Sequence, residues 1–280
     1  MGGEFDLPRI GAEPMVAEIA YRLEVGSTND WALELAREGG HPLPLLVLAT
    51  RQTQGRGRGA NRWWSADGGL TFSLLLDTRR VLPAPDALPQ LALVAGLSVC
   101  EALAPLAAGH EIRLKWPNDV LLGRHKVCGI LVESPANPPE RCVIGIGINV
   151  NNSFSEAPEE LRRRAASLVD ATGRRADLTN VLVQVLRRLA DRFERFQAGS
   201  LALSAACRPW CCLTGRTIAI ATGKCRVEGQ CLGIDNGGAL NIRTPQSDRR
   251  LFSGVVESVG WDERSVPEAS PFCHDAIEVS

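Results

Sequence analysis

The chain has 280 residues, 45% of them apolar, and 31 Lys and Arg stand against 32 Asp and Glu for a net charge of −1. This length fits one large or two smaller globular units, and the balanced charge argues against a general nucleic-acid binder, which is basic overall. Met1 is not followed by a charged and then apolar leader, and no run approaches the ~20 apolar residues that cross a bilayer, so the expectation is a cytoplasmic protein without a membrane segment.

Residues 1–18 mix polarities, contain two prolines and read as an extended or frayed lead-in. Ile19 to Val25 reads as a first strand. Gly26-Ser27-Thr28-Asn29 follows, and Trp31, Ala32, Leu33, Leu35 and Ala36 mark a helix that Ser27, Thr28 or Asn29 can cap and Gly39-Gly40 can end. Leu45 to Ala49 and Leu70 to Leu76 read as buried strands around a loop, Thr50 to Trp64, that carries four arginines, three glycines and two tryptophans. No acidic residue occurs from Gly39 to Ala66. Glycine lets backbone approach a ligand, and arginine offers a permanent charged fork for phosphate or carboxylate. The loop therefore reads as an anion site, with a solvated Arg-Gly loop or an RNA-binding segment as alternatives.

A proline-rich connection, 78–89, leads to an all-round apolar helix over 88–106. Ile112 to Lys115 is a short strand broken at Trp116-Pro117. Asp119 to Leu122 and Lys126 to Glu133 form a hairpin, and Arg141 to Asn151 reads as another central strand. Leu161 to Val169 and Leu178 to Phe196 have amphipathic helical spacing. Beyond Trp210 come short strands at 217–221, 225–234, 239–242 and 251–259, the pattern of a small β-barrel with its own core. The predicted architecture is α+β: a mixed sheet with packed helices over 19–212, then a small barrel over 213–261. The proline-rich acidic tail 262–280 reads as disordered. Nine cysteines without a CxxC pair and four scattered histidines fit reduced thiols rather than a metal cluster. Cys128 and Cys142 read as small core residues.

Taken together, Gly26-Ser27-Thr28-Asn29, Gln52 with Gly55-Arg56-Gly57-Arg58-Gly59 and Trp63, Lys115-Trp116-Pro117-Asn118-Asp119, Lys126 with Gly129-Ile130-Leu131-Val132-Glu133, and Gly145-Ile146-Gly147-Ile148-Asn149 resemble the biotin–protein ligase family in order and approximate spacing, from about Val25 to Val259. The resemblance implies an SH3-like C-terminal barrel and a two-step reaction. Biotin and ATP give biotinyl-5′-AMP and pyrophosphate, and the adenylate is then attacked by a lysine of a biotin carboxyl carrier protein. It implies biotin contacts from Ser27, Thr28, Asn29, Gln52, Gly55, Arg56, Gly57, Arg58, Lys126 and Gly129. On the nucleotide side it implies Arg56, Arg58, Trp63, Lys115, Asn118 and Asn149. Arg58, Lys115, Asp119 and Lys126 are the candidate catalytic groups, with Asp119 also the candidate Mg²⁺ ligand. No protein nucleophile is needed, because joining two anions requires alignment and charge stabilisation.

The 26 residues before Ser27 are too few for the DNA-binding domain of some members, so no operator binding is expected; a homodimer stays open. Gly59 and Ala60 stand where many members have arginine and glycine, which removes one cation from the loop. A lipoate–protein ligase and an RNA-binding module using Trp63 and Trp64 as stacking platforms are the rival readings.

Overall fold

The computed structural model describes residues 5–155, 157–223 and 225–260; the expected tail over 262–280 lies outside them. In chain order the elements are α1 (Leu7–Gly11), β1 (Glu18–Val25), α2 (Thr28–Glu38), β2 (Leu45–Gln52), β3 (Leu70–Asp77), α3 (Thr78–Val81), α4 (Leu91–Leu103), β4 (Ile112–Lys115), β5 (Asp119–Leu122), β6 (His125–Glu133) and β7 (Arg141–Ile148). They continue with α5 (Glu159–Arg162), α6 (Leu168–Thr172), α7 (Leu178–Gln197), α8 (Leu203–Cys207), β8 (Thr217–Thr222), β9 (Cys225–Ile234), β10 (Leu240–Arg243), β11 (Asp248–Leu251) and β12 (Val255–Val259). The α+β prediction holds: a seven-stranded sheet in the order β1-β2-β3-β7-β6-β5-β4 precedes a five-stranded sheet in the order β11-β10-β9-β8-β12. Only β1 and β2 pair in parallel, joined through α2; the other neighbours in the large sheet are antiparallel.

Strand periodicity sets the two faces of the large sheet. Phe72, Leu74, Leu76, Ile144, Ile146 and Ile148 point to one face, where the largely apolar α4 and the amphipathic α7 cover them. Leu75, Val47 and Val143 point to the other and pack on Ala32, Leu35 and Ala36 of α2. Because α2 covers only part of that face, the strand ends beyond its N-terminus are left for a ligand. By length and composition the 85–106 stretch is apolar enough to span a bilayer, contrary to the sequence expectation. In the fold it is the central core helix, with eleven residues of α4 buried. Cys128 and Cys142 are buried as expected, and desolvation pushes both thiols up, Cys142 to about 12.

Four expectations are corrected. The lead-in is packed rather than extended: Asp6 caps α1, Phe5, Ile10, Met15 and Val16 are buried, and buried Glu13 pairs with Arg187 of α7 at 2.8 Å. A five-residue helix is too short to leave a periodic signal. The helix predicted over 161–169 is two pieces, because residues 164–166 run beside β6 (Lys126 N to Arg164 O 2.7 Å, Ala166 N to Lys126 O 3.0 Å) and Ser167 then caps α6. The strand predicted over 251–259 breaks at residues 252–254 into β11 and β12. A Cβ on Gly254 would lie 2.5 Å from Ile220, so the break seats backbone where no side chain fits. Finally, the small sheet has no separate core: Ile218, Ile220, Ile234, Leu240 and Ile242 join the cluster that contains α4 and α7. Trp116, 2% exposed, donates its indole N–H to Gly238 O across that seam at 3.1 Å.

At the end of β3 remote from the α2 N-terminus, buried Asp77 accepts from Arg79 and pairs with Arg141. The hydrogen bond from Arg79 leads in holding its carboxyl down at about 2, from an ordinary 3.8. Its stabilisation is therefore complete above pH 3.8 and is lost as pH falls toward 2. With Arg79 mostly exposed, the contribution is about 1 kcal/mol. Asp77→Asn should remove this part of the acid limb, read as chemical-denaturation midpoints at pH 2, 3, 4 and 7. A mutant whose deficit is the same at pH 2 and pH 7 would contradict it.

Candidate active site

The register of the sheet lines up a row of residues across five strands and onto a sixth. Ala49 faces Thr71, Thr71 faces Gly147, Gly147 faces Gly129, Gly129 faces Asp119, and Asp119 faces Lys115. Directly paired residues share a face, so this row is a floor that is small and apolar at one end and charged at the other. Above it lies a cavity of about 370 Å³. Every candidate residue named from the sequence lines it except Gly55. Gly55 sits behind the wall: a Cβ there would meet Trp63 O at 2.6 Å, and Trp63 N donates to Gly55 O at 2.9 Å, closing the loop's neck.

The end near α2 is a buried polar network. Gln52 Oε1 accepts from Thr28 N at 2.7 Å and Thr28 Oγ1 at 3.0 Å. A backbone N–H can only donate, so this pair of bonds fixes the amide and turns Nε2 away as a free donor face. Ser73 Oγ lies 2.8 Å from Thr28 Oγ1 and 2.6 Å from Asn29 Oδ1, and Asn29 Nδ2 donates to Glu133 Oε2 at 2.9 Å. Asn29 fits only because Gly145 lies beneath it, where a Cβ would come within 2.0 Å of Asn29 Oδ1. Ser27 caps α2 by accepting from Asp30 N at 3.4 Å, so capping and lining coincide in one residue.

The opposite end is cationic. Six basic side chains, Arg56, Arg58, Arg62, Lys115, Lys126 and Arg164, line the cavity against one carboxylate, Asp119. Two of them are already paired. Lys126 Nζ lies 2.5 Å from Asp119, and Arg56 bridges Asp30 and Glu133. Partial burial opposes the charge on Arg56, but the bonds to Asp30 and Glu133 outweigh it and hold its pKa above the ordinary value. Arg58 donates to Gly254 O, tying the loop to the small sheet, and Gly254, Val255 and Val256 complete the rim. Among the described residues Arg58, Lys115, Arg62 and Arg164 make no ion pair, and with a single carboxylate beside them they present a net positive field, the condition for holding a polyanion.

Several side chains have structural bonds as well. Asn118 Nδ2 donates to Ile130 O at 2.8 Å, locking the β4–β5 turn. Buried Asn149 donates to Lys126 O at 3.4 Å and accepts from Asn152 at 3.1 Å. The Trp63 ring lies flat on the floor, within 2.5 Å of where a Gly147 Cβ would be, and Lys126 Nζ is 5.8 Å from its centroid. Gly59 sits at φ +67°, a region in which an arginine would be strained.

Sequence reasoning missed Thr71, Ser73, Glu133, Gly145, Gly147, Arg164 and the 254–256 rim. Glu133, Gly145 and Gly147 lay inside the quoted motifs without a role. Thr71 and Ser73 had a weak signal, two hydroxyls on one face of a strand otherwise apolar. Arg164 and the rim reach the site only through the fold.

The chain is similar to known proteins over most of its length. The family model described as "Biotin/lipoate A/B protein ligase family" matches residues 22–149. The chain is 33% identical over 249 residues to the bifunctional ligase/repressor BirA of Bacillus subtilis, covering 88% of this chain and 75% of that protein. It is 34% identical over 234 residues to the biotin–[acetyl-CoA-carboxylase] ligase of Mycobacterium tuberculosis, covering 82% and 85%. The solved structure of biotin protein ligase from Aquifex aeolicus in complex with biotin and ATP matches with a TM-score of 0.74 at 33% identity, over 86% of this chain and 97% of that one.

Proposed function

We propose a division of labour within the cavity of a chain that belongs to the biotin/lipoate A/B protein ligase family and is a biotin–protein ligase. It activates biotin with ATP to biotinyl-5′-AMP, releasing pyrophosphate, and transfers the biotinyl group to a lysine. The observation that carries the reading of the site is the floor running from Thr71 over Gly147 and Gly129 to Asp119 and Lys115. It joins a hydrogen-bonding recess to a cationic one at the spacing of one elongated ligand.

The Thr28–Gln52–Ser73–Asn29 recess takes the ureido head, where matched donors and acceptors are most discriminating. The valeryl chain runs beside the Trp63 ring, which Gly147 and Gly129 admit onto the floor. The carboxylate arrives beside Lys126 and the Arg-Gly loop. A carboxylate oxygen attacks the α-phosphorus of ATP and pyrophosphate leaves. Lys126, Arg58 and Lys115 neutralise the charge that gathers on the phosphoryl oxygens. Trp63 and Asn149 face the nucleotide base, and Asn118 holds the turn that presents Lys115. The rim contact between Arg58 and Gly254 shuts water from the anhydride, which would otherwise hydrolyse.

Asp119 does not fit a resident Mg²⁺. Among the described residues it is the only carboxylate lining the cavity, no group of three metal-ligating side chains occurs, and it is already 2.5 Å from Lys126. Magnesium accompanies the nucleotide as part of the substrate. The acceptor is a biotin carboxyl carrier protein, in keeping with the carboxylase named for the Mycobacterium relative.

The reading is tested by ATP–pyrophosphate exchange with and without biotin. Exchange that depends on biotin supports it, exchange driven by lipoate alone reassigns the acid, and no acid-dependent exchange overturns it. For transfer, the acceptor amine must lose a proton, and Asp119 is the base within the site. Asp119→Asn keeps an oxygen for Lys126 but removes the base, so transfer should slow about 100-fold and adenylation by less than about tenfold. Equal losses in single-turnover assays of the two half-reactions would rule this out.

A further inference from the structure

We propose that the cleft between α7 and the end of α4 is a second ligand site, for an elongated amphipathic dianion with two anionic groups joined by an apolar segment. The cleft encloses about 570 Å³, within the range of small-molecule sites. It lies across the large sheet from the active-site floor, because it opens in the α4–α7 layer that covers Phe72 and Leu74, whereas Thr71 points the other way. Among the described residues none lines both cavities.

One wall of the cleft is a stripe of α7. Asp177, Asn180, Val181, Gln184 and Arg188 follow one another at helical spacing and share one face. From Asp177 to Arg188 the helix rises about 16 Å. Arg174 and Arg175 stand at the near end of this stripe, Arg188 at the far end, and Val181 between them. The opposite wall, from the end of α4, is apolar at Ala102, Pro105 and Leu106. Both lining carboxylates are already engaged: Glu101 holds Arg192, and Asp177 caps α7 by accepting from Asn180 N at 2.8 Å. The arginines of α7 outside the cleft are paired too, Arg187 with Glu13, Arg192 with Glu101 and Arg195 with Asp191. Among the described residues Arg188, Arg174 and Arg175 make no ion pair. Arg9 joins the near end, donating to Asn180 Oδ1 at 2.5 Å. Arginine forks at both ends of an apolar trough suit an occupant that is anionic at both ends and apolar between. A compact inorganic anion would meet one end only, and a neutral apolar ligand would meet neither.

Dodecanedioate, whose two carboxylates are joined by an alkyl chain of comparable extended length, is the test ligand. Calorimetric titration into the full chain, with and without saturating biotin, should give a Kd below about 1 mM in both cases. Arg188→Gln should weaken binding about fivefold, and Arg174→Gln combined with Arg175→Gln about tenfold, the scale of charge-assisted hydrogen bonds partly open to water. Butanedioate, which reaches one end only, and dodecanoate, which has one anion, should each bind at least about fivefold more weakly than dodecanedioate. All three arginines are exposed, so the variants should keep the parent melting temperature. No binding of dodecanedioate at about 10 mM overturns the site. Binding that both arginine variants leave within about twofold of the parent, or that biotin abolishes, places the diacid elsewhere and overturns it as well. Dodecanoate binding as tightly as dodecanedioate would overturn the assignment of a dianion.

Discussion

Gly145→Ala is expected to cut biotin affinity by about 100-fold or more while leaving a folded protein. The added Cβ would lie 2.0 Å from Asn29 Oδ1 and 2.7 Å from Asn29 Cγ, so Asn29 must leave its place. Asn29 is fixed on three sides, by Ser73, by Leu131 O and by Glu133. Its displacement strips Ser73 of one acceptor and frees Glu133 to draw Arg56 out of line, so a methyl group beneath the floor disturbs both ends of the cavity. Adding Asn29→Gly to Gly145→Ala removes the overlap and should restore the melting temperature without restoring affinity, the non-additive result of two contacting sites. Biotin binding by Gly145→Ala within about tenfold of the parent would show that the Asn29 network is not the head-group recess.

Lys126→Met is the second large effect, and it falls on rate. The side chain keeps an unbranched apolar stem one atom shorter and loses its charge. Adenylate formation in a single turnover should slow by about 10²–10³-fold, the range for removing one preorganised charge donor from a water-poor site. Stability should change little, because Lys126 and Asp119 are partly exposed and such pairs contribute modestly. Biotin affinity measured without ATP should fall by less than about tenfold, since the charge acts chiefly on the developing phosphoryl centre. A variant that forms biotinyl-AMP within fivefold of the parent rate, roughly 1 kcal/mol, would move the catalytic charge elsewhere, with Lys115 and Arg58 next in line.

The sequence was most legible where a residue's local periodicity and its tertiary role coincide. Near-continuous apolar runs in Leu70 to Leu76 and in Arg141 to Ile148 mark central strands because each is buried on both faces, and α7 declares itself through twenty residues of apolar spacing. The charged residues of the site were legible for a different reason: Arg56, Arg58, Lys115 and Lys126 stand in motifs whose combination is distinctive. What stayed hidden depends on backbone partners far away in the chain. Residues 164–166 leave the helical path because β6 offers them hydrogen bonds, and nothing in Arg164-Ala165-Ala166 announces that. Thr71 resembles any polar residue on a strand until the register places it opposite Gly147. The lead-in packs because Arg187 and Thr179, far along the chain, meet Glu13 and Asp6.

The seam between the two sheets has a consequence for how this architecture can be rearranged. Leu114 N donates to Trp210 O, Cys212 N donates to Leu114 O, and Trp116 reaches Gly238, so the residues bracketing Lys115 are sewn to the segment that leads into the small sheet and to its β9–β10 turn. The C-terminal segment is consequently not an interchangeable cassette. A chimera that borrows it from a relative inherits a foreign rim over the Arg-Gly loop and a mismatched bed beneath Trp116. Grafts in this family should carry the 112–118 segment together with its C-terminal partner.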